Sequence, residues 1–307
     1  MRKPRALAPG DRIAIVAPAS PFDRDDFDAG VRELQGIGYA PVFDDSVFAR
    51  DGYLAGSASM RAEALRRAWQ DPSVAGIIAA RGGYGSVQLL PLLDVSDFAE
   101  HAKAFIGYSD NTSLMSWLTL TCGVVTFHGP MIEGRFARGA AGYDRDSFQR
   151  CVTVAEAAGP ITHPQLEIIR GGEAAGLLVG GTMTQLAASL GTPYAFDPPD
   201  GCVLFFDEVA ERPYRIDRLF TQLALAGVIR RASALVFGEM PRCDEPGGVP
   251  RIREVIARLT DGFVGPVLFG LPSGHTSGAS LTLPFGVRAR VVAVAQPALV
   301  VEEAAVI

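Results

Sequence analysis

Cysteine is scarce in this chain. Its four cysteines, Cys122, Cys151, Cys202 and Cys243, lie far apart and form no Cys-x-x-Cys pair. That argues against a disulfide framework and a zinc site, and it suits a reducing, cytoplasmic compartment. Basic excess is absent too: 28 Lys and Arg stand against 34 Asp and Glu, for a net charge of −6. Nucleic acid and anionic membrane are therefore not expected partners. No apolar run approaches the ~20 residues needed to span a bilayer. The N-terminus, MRKPRALAPGDRIAIVAPAS, is basic and then apolar, as a signal peptide is. Asp11 and Arg12 break that stretch, and RIAIVAPAS reads better as a buried first strand. No internal repeat or low-complexity segment is found. The four histidines have no metal-ligand spacing, and neither a metal nor another cofactor is expected.

What the chain does have is alternation. Short apolar runs at Ile13–Ala17, Ala40–Phe43, Val74–Ala80, Ala104–Ile106 and Val124–Phe127 read as strands. Asp25–Gln35, Ser59–Gln70 and the stretch after Ser109 read as helices. Continuous apolar strands separated by helices imply a parallel sheet covered on both faces. The expected class is α/β: a Rossmann-like, doubly wound N-terminal domain over 1–140, and a smaller, strand-rich α/β domain over 174–307. Between them, 141–173 is rich in proline and glycine and reads as an interdomain crossing. In parallel sheets, sites form at the carboxyl ends of the strands. The glycine-rich turns after Ala80 and Ile106 fall there.

The turn after Ile106 reads Gly107-Tyr108-Ser109-Asp110-Asn111-Thr112. The glycine permits a sharp exit from the strand, and Asn111 tolerates a left-handed backbone. This is the logic of a nucleophile elbow, with a helix N-terminus behind it to favour developing negative charge. The same residues also suit a plain helix cap by Ser109 or Asp110, and both readings stand on the residues alone. A serine nucleophile needs a base. His101 sits in a polar helical stretch, and His163 precedes Pro164. His128, at a strand's carboxyl end, and His275, between glycines in GLPSGHTSG, are the two candidates. The base needs an orienting carboxylate. CVLFFDEV puts Asp207 and Glu208 at the end of a very apolar strand, where alternation sends them to opposite sides. Arg81-Gly82-Gly83-Tyr84-Gly85 lacks the lysine of a phosphate-binding loop and the spacing of a dinucleotide fingerprint.

Taken together, these residues resemble the LD-carboxypeptidase family, serine peptidases that include murein tetrapeptide carboxypeptidases and microcin C7 immunity-type proteins. RGGYGS, GYSDNT, FHGP, PYRIDR and LPSGH occur in the family's order and approximate spacing, through most of the chain. The resemblance implies a Ser-Glu-His triad. Its serine falls on Ser109 and its histidine on His275. Counting back from Pro213-Tyr214-Arg215, its acid falls on Asp207, with Glu208 one position on. The family's acid is usually Glu, so Asp207 is a departure and Glu208 stays open; Thr182, where the family usually has Asn, is a second. By similarity, the backbone N–H groups of Asp110 and Gly83 form an oxyanion hole. Arg81, Tyr84 and His128 are candidates to contact substrate. The implied activity is release of a C-terminal D-residue from a small murein peptide by a cytoplasmic homodimer; the alternative is hydrolysis of aminoacyl-nucleotide amides. That alternative wants an aromatic to stack a base, and the two tryptophans, Trp69 and Trp117, sit in expected helices. A non-catalytic binding protein on the same scaffold is a third reading, and a cysteine-dependent amidotransferase is disfavoured because no cysteine occupies an elbow.

Overall fold

The computed structural model describes residues 1–307. In the first half, β1 (Arg12–Val16), β2 (Ala40–Val42), β3 (Val74–Ala79), β4 (Ala104–Gly107) and β5 (Thr126–His128) pair in parallel, in the order β5-β4-β3-β1-β2. β4 is buried at every position and β3 at all but one, which is why they read as unbroken apolar runs and not as alternation. α1 (Arg24–Gly36) and α2 (Ala58–Gln70) are started by Asp23 and Ser57, whose side chains accept first-turn N–H groups. α3 (Thr112–Ser116) follows the turn after β4.

The second half continues through α4 (Arg145–Thr153), β6 (Ala157–Ile161), β7 (Glu167–Arg170), β8 (Gly172–Thr182), α5 (Met183–Ser189), β9 (Cys202–Asp207), α6 (Pro213–Leu225), β10 (Ala232–Gly238) and β11 (Val267–Leu271). It ends with β12 (Leu283–Phe285), β13 (Arg288–Ala293) and β14 (Ala298–Ala304). Eight of these strands form a sheet ordered β6-β14-β13-β8-β9-β10-β11-β7, with a parallel centre from β8 to β11. The architecture is the expected one, a parallel-sheet first domain and a strand-rich second.

Two features differ from the sequence reading. The span 141–173 is not a bare crossing: it forms α4, and its strands β6 and β7 take the two outer edges of the second sheet. Strands of four and five residues carry little periodicity, β6 includes a glycine and a proline, and the pairing partners lie about a hundred residues away or more, on β14 and β11. β12 also returns to the first sheet, antiparallel to β5, with Leu283 opposite His128. One apolar cluster accordingly joins Phe105 and Leu114 of the first half to Leu178, Phe205 and Leu283 of the second. The halves share a packed core, which fixes where their loops meet. No helix is long and apolar enough to cross a membrane.

Candidate active site

The turn after β4 places Ser109 at φ +62, the left-handed region that residues other than glycine rarely occupy. A helix cap has no need of this strain; a serine pushed outward on a sharp turn does. Ser109 is half-buried, while Asp110, Asn111 and Thr112 are fully buried around it. Asn111 donates from Nδ2 to the carbonyls of Arg81 and Tyr108, tying the turn to the glycine loop after β3.

That loop comes very close. A Cβ on Gly82 would lie 2.8 Å from the Cβ of Ser109 and 3.5 Å from the Asp110 nitrogen, so only glycine fits. The Gly82 carbonyl accepts from the Ser20 N–H at 3.1 Å, and the planar peptide therefore turns the Gly83 N–H the other way. The Gly83 N–H makes no hydrogen bond within the chain. Asp110 secures the far end of the loop: its carboxylate accepts from the Ser86 N–H at 2.7 Å, and its carbonyl accepts from the Ser86 hydroxyl. From the other side, the buried Arg61 donates to the carbonyls of Pro18, Gly56 and Gly85 and to Oε1 of Gln88. Arg61 carries a signal the sequence reading passed over: it shares a helix face with Leu65 and Trp69, at i, i+4 and i+8, and an arginine on an apolar face needs a reason.

Asp207 ends β9 and His275 lies in the loop after β11. The Nδ1 of His275 sits 2.9 Å and 3.0 Å from the two carboxylate oxygens of Asp207, and its backbone N–H donates to Oδ2 at 3.2 Å. The ring packs edge-on against Tyr108 at 5.1 Å, beside the serine turn. Burial alone would push Asp207 up, but the neighbouring His275 and His128 outweigh it and hold the carboxyl well below its ordinary value. Burial pulls His275 down, and Asp207 more than restores it, leaving the imidazole above its ordinary value. Glu208 points the other way. Its Oε2 accepts from the Thr184 N–H and hydroxyl in the first turn of α5, and Oε1 accepts from the Val209 N–H. Burial holds that carboxyl above its usual range.

His128 is fully buried, so its ring meets protein and not solvent. Arg81 pairs with Glu133 at 3.0 Å and donates to the Pro21 carbonyl, with part of its side chain exposed. Tyr84 is exposed and faces Tyr53, with ring centroids 5.9 Å apart. Both tryptophans are buried. Thr182 donates its N–H to the Thr112 hydroxyl at 3.0 Å, a direct link between the halves behind the serine turn. All four cysteines are buried, and burial pushes their thiols up to about 12, far from any thiolate at neutral pH.

Arg135 was not singled out in the sequence. It is buried without a carboxylate partner and donates to the carbonyls of Gly142, Gly274, Thr276 and Gly278, lacing the His275 loop. No local pattern in GRFARG announces this, because three of the four acceptors are about 140 residues further along the chain.

The chain matches the LD-carboxypeptidase N-terminal domain over residues 13–129 and the LD-carboxypeptidase C-terminal domain over residues 175–291. A relative from Streptomyces coelicolor is 37% identical over 292 residues, covering 94% of this chain and 92% of its own. The murein tetrapeptide carboxypeptidase of Pseudomonas aeruginosa is 30% identical over 271 residues, covering 86% and 88%. Among solved structures, the microcin C7 self-immunity protein in complex with aspartyl sulfamoyl adenosine superposes with a TM-score of 0.90 at 26% identity, covering 99% of each chain.

Proposed function

The chain belongs to the LD-carboxypeptidase family, and we propose that it is a serine-type L,D-carboxypeptidase that releases D-alanine from a murein tetrapeptide. The observation that carries this reading is the Asp207–His275 pair beside a serine held at φ +62. In the proposed mechanism, Ser109 attacks the carbonyl preceding the terminal D-residue while Nε2 of His275 takes its proton. The tetrahedral oxyanion forms against the N–H groups of Asp110 and Gly83, each donor worth about 3 kcal/mol of barrier. His275 then returns the proton to the leaving amine. Water repeats the sequence on the acyl-enzyme, with His275 again as base, and regenerates Ser109. Asp207 fixes the imidazole tautomer and stabilises the imidazolium. Glu208, engaged with α5, is given no part in proton transfer. Arg81, already neutralised by Glu133, receives a substrate carboxylate with the donors it has left. The proposed setting is the cytoplasm, in cell-wall recycling, as a homodimer.

The test is mass spectrometry of L-Ala-γ-D-Glu-meso-diaminopimelate-D-Ala incubated with the purified protein beside Ser109→Ala. Loss of D-alanine with the wild type alone supports the reading. No loss, with the wild type folded, sinks it. A second reading, cleavage of aminoacyl-nucleotide amides, is favoured by one feature: the exposed Tyr53–Tyr84 pair supplies an aromatic face beside the glycine loop that the buried tryptophans do not. Turnover of an aminoacyl sulfamoyl adenosine without turnover of the tetrapeptide would move the assignment to it.

A further inference from the structure

We infer that His128 is a positioning residue for this site: a second imidazole whose Nε2–H is directed at Oδ2 of Asp207, oriented by the hydroxyl of Ser273 at its Nδ1. The inference rests on the reading of Ser109, His275 and Asp207 as a triad. His128 is fully buried and enclosed by rings, with Phe205 at 5.2 Å, Phe285 at 5.4 Å and Tyr108 at 5.9 Å between centroids. A phenylalanine or leucine would fill such a cage without bringing two nitrogens into it. An imidazole nitrogen left unpaired in apolar surroundings is costly, so its presence needs a chemical reason. Nε2 has no hydrogen-bond partner, and the charge it faces is Asp207 Oδ2, 3.6 Å away.

The tautomer follows from proton counting. Nδ1 lies 3.0 Å from the Ser273 hydroxyl oxygen, which in turn lies 2.9 Å from the Leu281 carbonyl. If the hydroxyl proton went to Leu281, Nδ1 would carry the imidazole proton and Nε2 would turn a lone pair toward a carboxylate. If Ser273 donates to Nδ1, it gives up its 2.9 Å hydrogen bond to the neutral Leu281 carbonyl, but Nε2 then carries the proton and faces the anionic Asp207, the stronger of the two interactions. Desolvation lowers the ring's proton affinity more than Asp207 raises it, which favours the neutral form. The carboxylate therefore selects the second arrangement. The spacing also has a steric guard. A Cβ on Gly274 would lie 2.2 Å from Asp207 Oδ2 and 2.5 Å from Cε1 of His128, so glycine alone lets the loop pass over both groups.

The consequence concerns His275. Asp207 divides its charge between two imidazoles, and the share directed at His128 is withheld from His275. Removing His128 lets Asp207 hold the His275 proton more tightly. The acidic limb of kcat/KM then moves to higher pH. Glu208 and Arg135, the other charged groups acting on His275, and Tyr108, which packs against its ring, are unchanged in the variants below.

The experiment follows the imidazole titration of His275 by nitrogen-15 NMR, in wild type and in His128→Phe, with Ser109→Ala in both so that no turnover is needed. The expected shift is upward by roughly half a unit, and kcat/KM at pH 6 in the Ser109 background falls about 3-fold. His128→Gln, which can return an N–H toward Asp207, is expected to bring the midpoint back toward the wild-type value. An unchanged midpoint in a His128→Phe protein that still melts cooperatively overturns the inference and leaves His128 as filler. If that variant does not fold, His128→Leu replaces it: an upward shift supports the role, and none overturns it. Full activity of Ser109→Ala alone would sink the triad reading separately, while the NMR midpoint would still report on His128.

Discussion

The glycine loop beside Ser109 and the loop that carries His275 are held by the same device, at different reach. Each is laced to the body by a buried arginine that has no carboxylate partner and donates to backbone carbonyls. Arg61 works within the first domain, from α2 to a loop 24 residues away. Arg135 works across the molecule, from the first half to Gly274, 139 residues on. A guanidinium offers five donors in a rigid fork and cannot be deprotonated, so it can gather several carbonyls that water would otherwise satisfy. The difference teaches that the Ser109 side is built locally, while the His275 side depends on the two halves staying packed.

That contrast breaks most sharply at the acid. Asp207→Asn is expected to lower kcat by about 10⁴-fold, since an amide cannot hold the reactive tautomer of His275. Glu208→Gln, acting on α5 and not on the base, is expected to stay within about tenfold and to register instead as a lost melting temperature, near 1–3 kcal/mol for a mispaired buried group. Steady-state kinetics and thermal melts on the two variants separate the roles. An equal kinetic loss in both would mean that the acids are shared.

The two arginines come next. Arg135→Met and Arg61→Met are each expected to lower kcat about 10²-fold, because misplacement near the reacting atoms is costly, and to destabilise the fold. They should differ in the pH profile. Arg135 opposes protonation of His275, so its loss raises the acidic limb; Arg61 leaves the limb where it is. Gly82→Ala is a smaller, purely local insult. Its methyl meets the Ser109 side chain, and a loss of roughly tenfold in kcat/KM with a nearly unchanged melting temperature is expected.

The smallest effect is the unperturbed pH dependence. The proposed mechanism needs neutral His275, whose proton affinity is raised, so kcat/KM should climb with a midpoint above the ordinary imidazole value of 6.5. Stability should follow the opposite logic for that group: its contribution is full below 6.5 and is lost as pH rises through the folded value. For Asp207, held low, the contribution is present above 3.8 and is lost as pH falls through its folded value. Thermal melts across pH should therefore show a shallow maximum between these limits, flattened in Asp207→Asn.

Much of the first domain was legible. β3 and β4 are buried on both faces, so apolar continuity alone marked them. The Ser109 turn was half legible: glycine at the strand's end marked a sharp exit, but the left-handed residue is Ser109 itself and not Asn111, which is right-handed at φ −63. The acid was half legible: alternation said that Asp207 and Glu208 part company, but not which of them meets His275. Arg135 and the burial of His128 were not legible at all. Each depends on a partner far along the chain, and sequence periodicity reports only on neighbours within one element. The edge strands β6 and β7 failed for a related reason, since four or five residues are too few to show a period and their partners lie far along the chain.

By itself, then, the sequence determined the local conformations: which runs become strands, where helices start, and which turns can bring a serine and a glycine backbone close together. These follow from backbone sterics and hydrophobic period, which act over a few residues. Only the tertiary structure decided that Asp207 and not Glu208 faces His275, that β12 joins the first sheet, and that His128 lies behind the acid. Those outcomes depend on how two sheets pack into one shared core, and close packing admits only one of the arrangements that the local rules leave open.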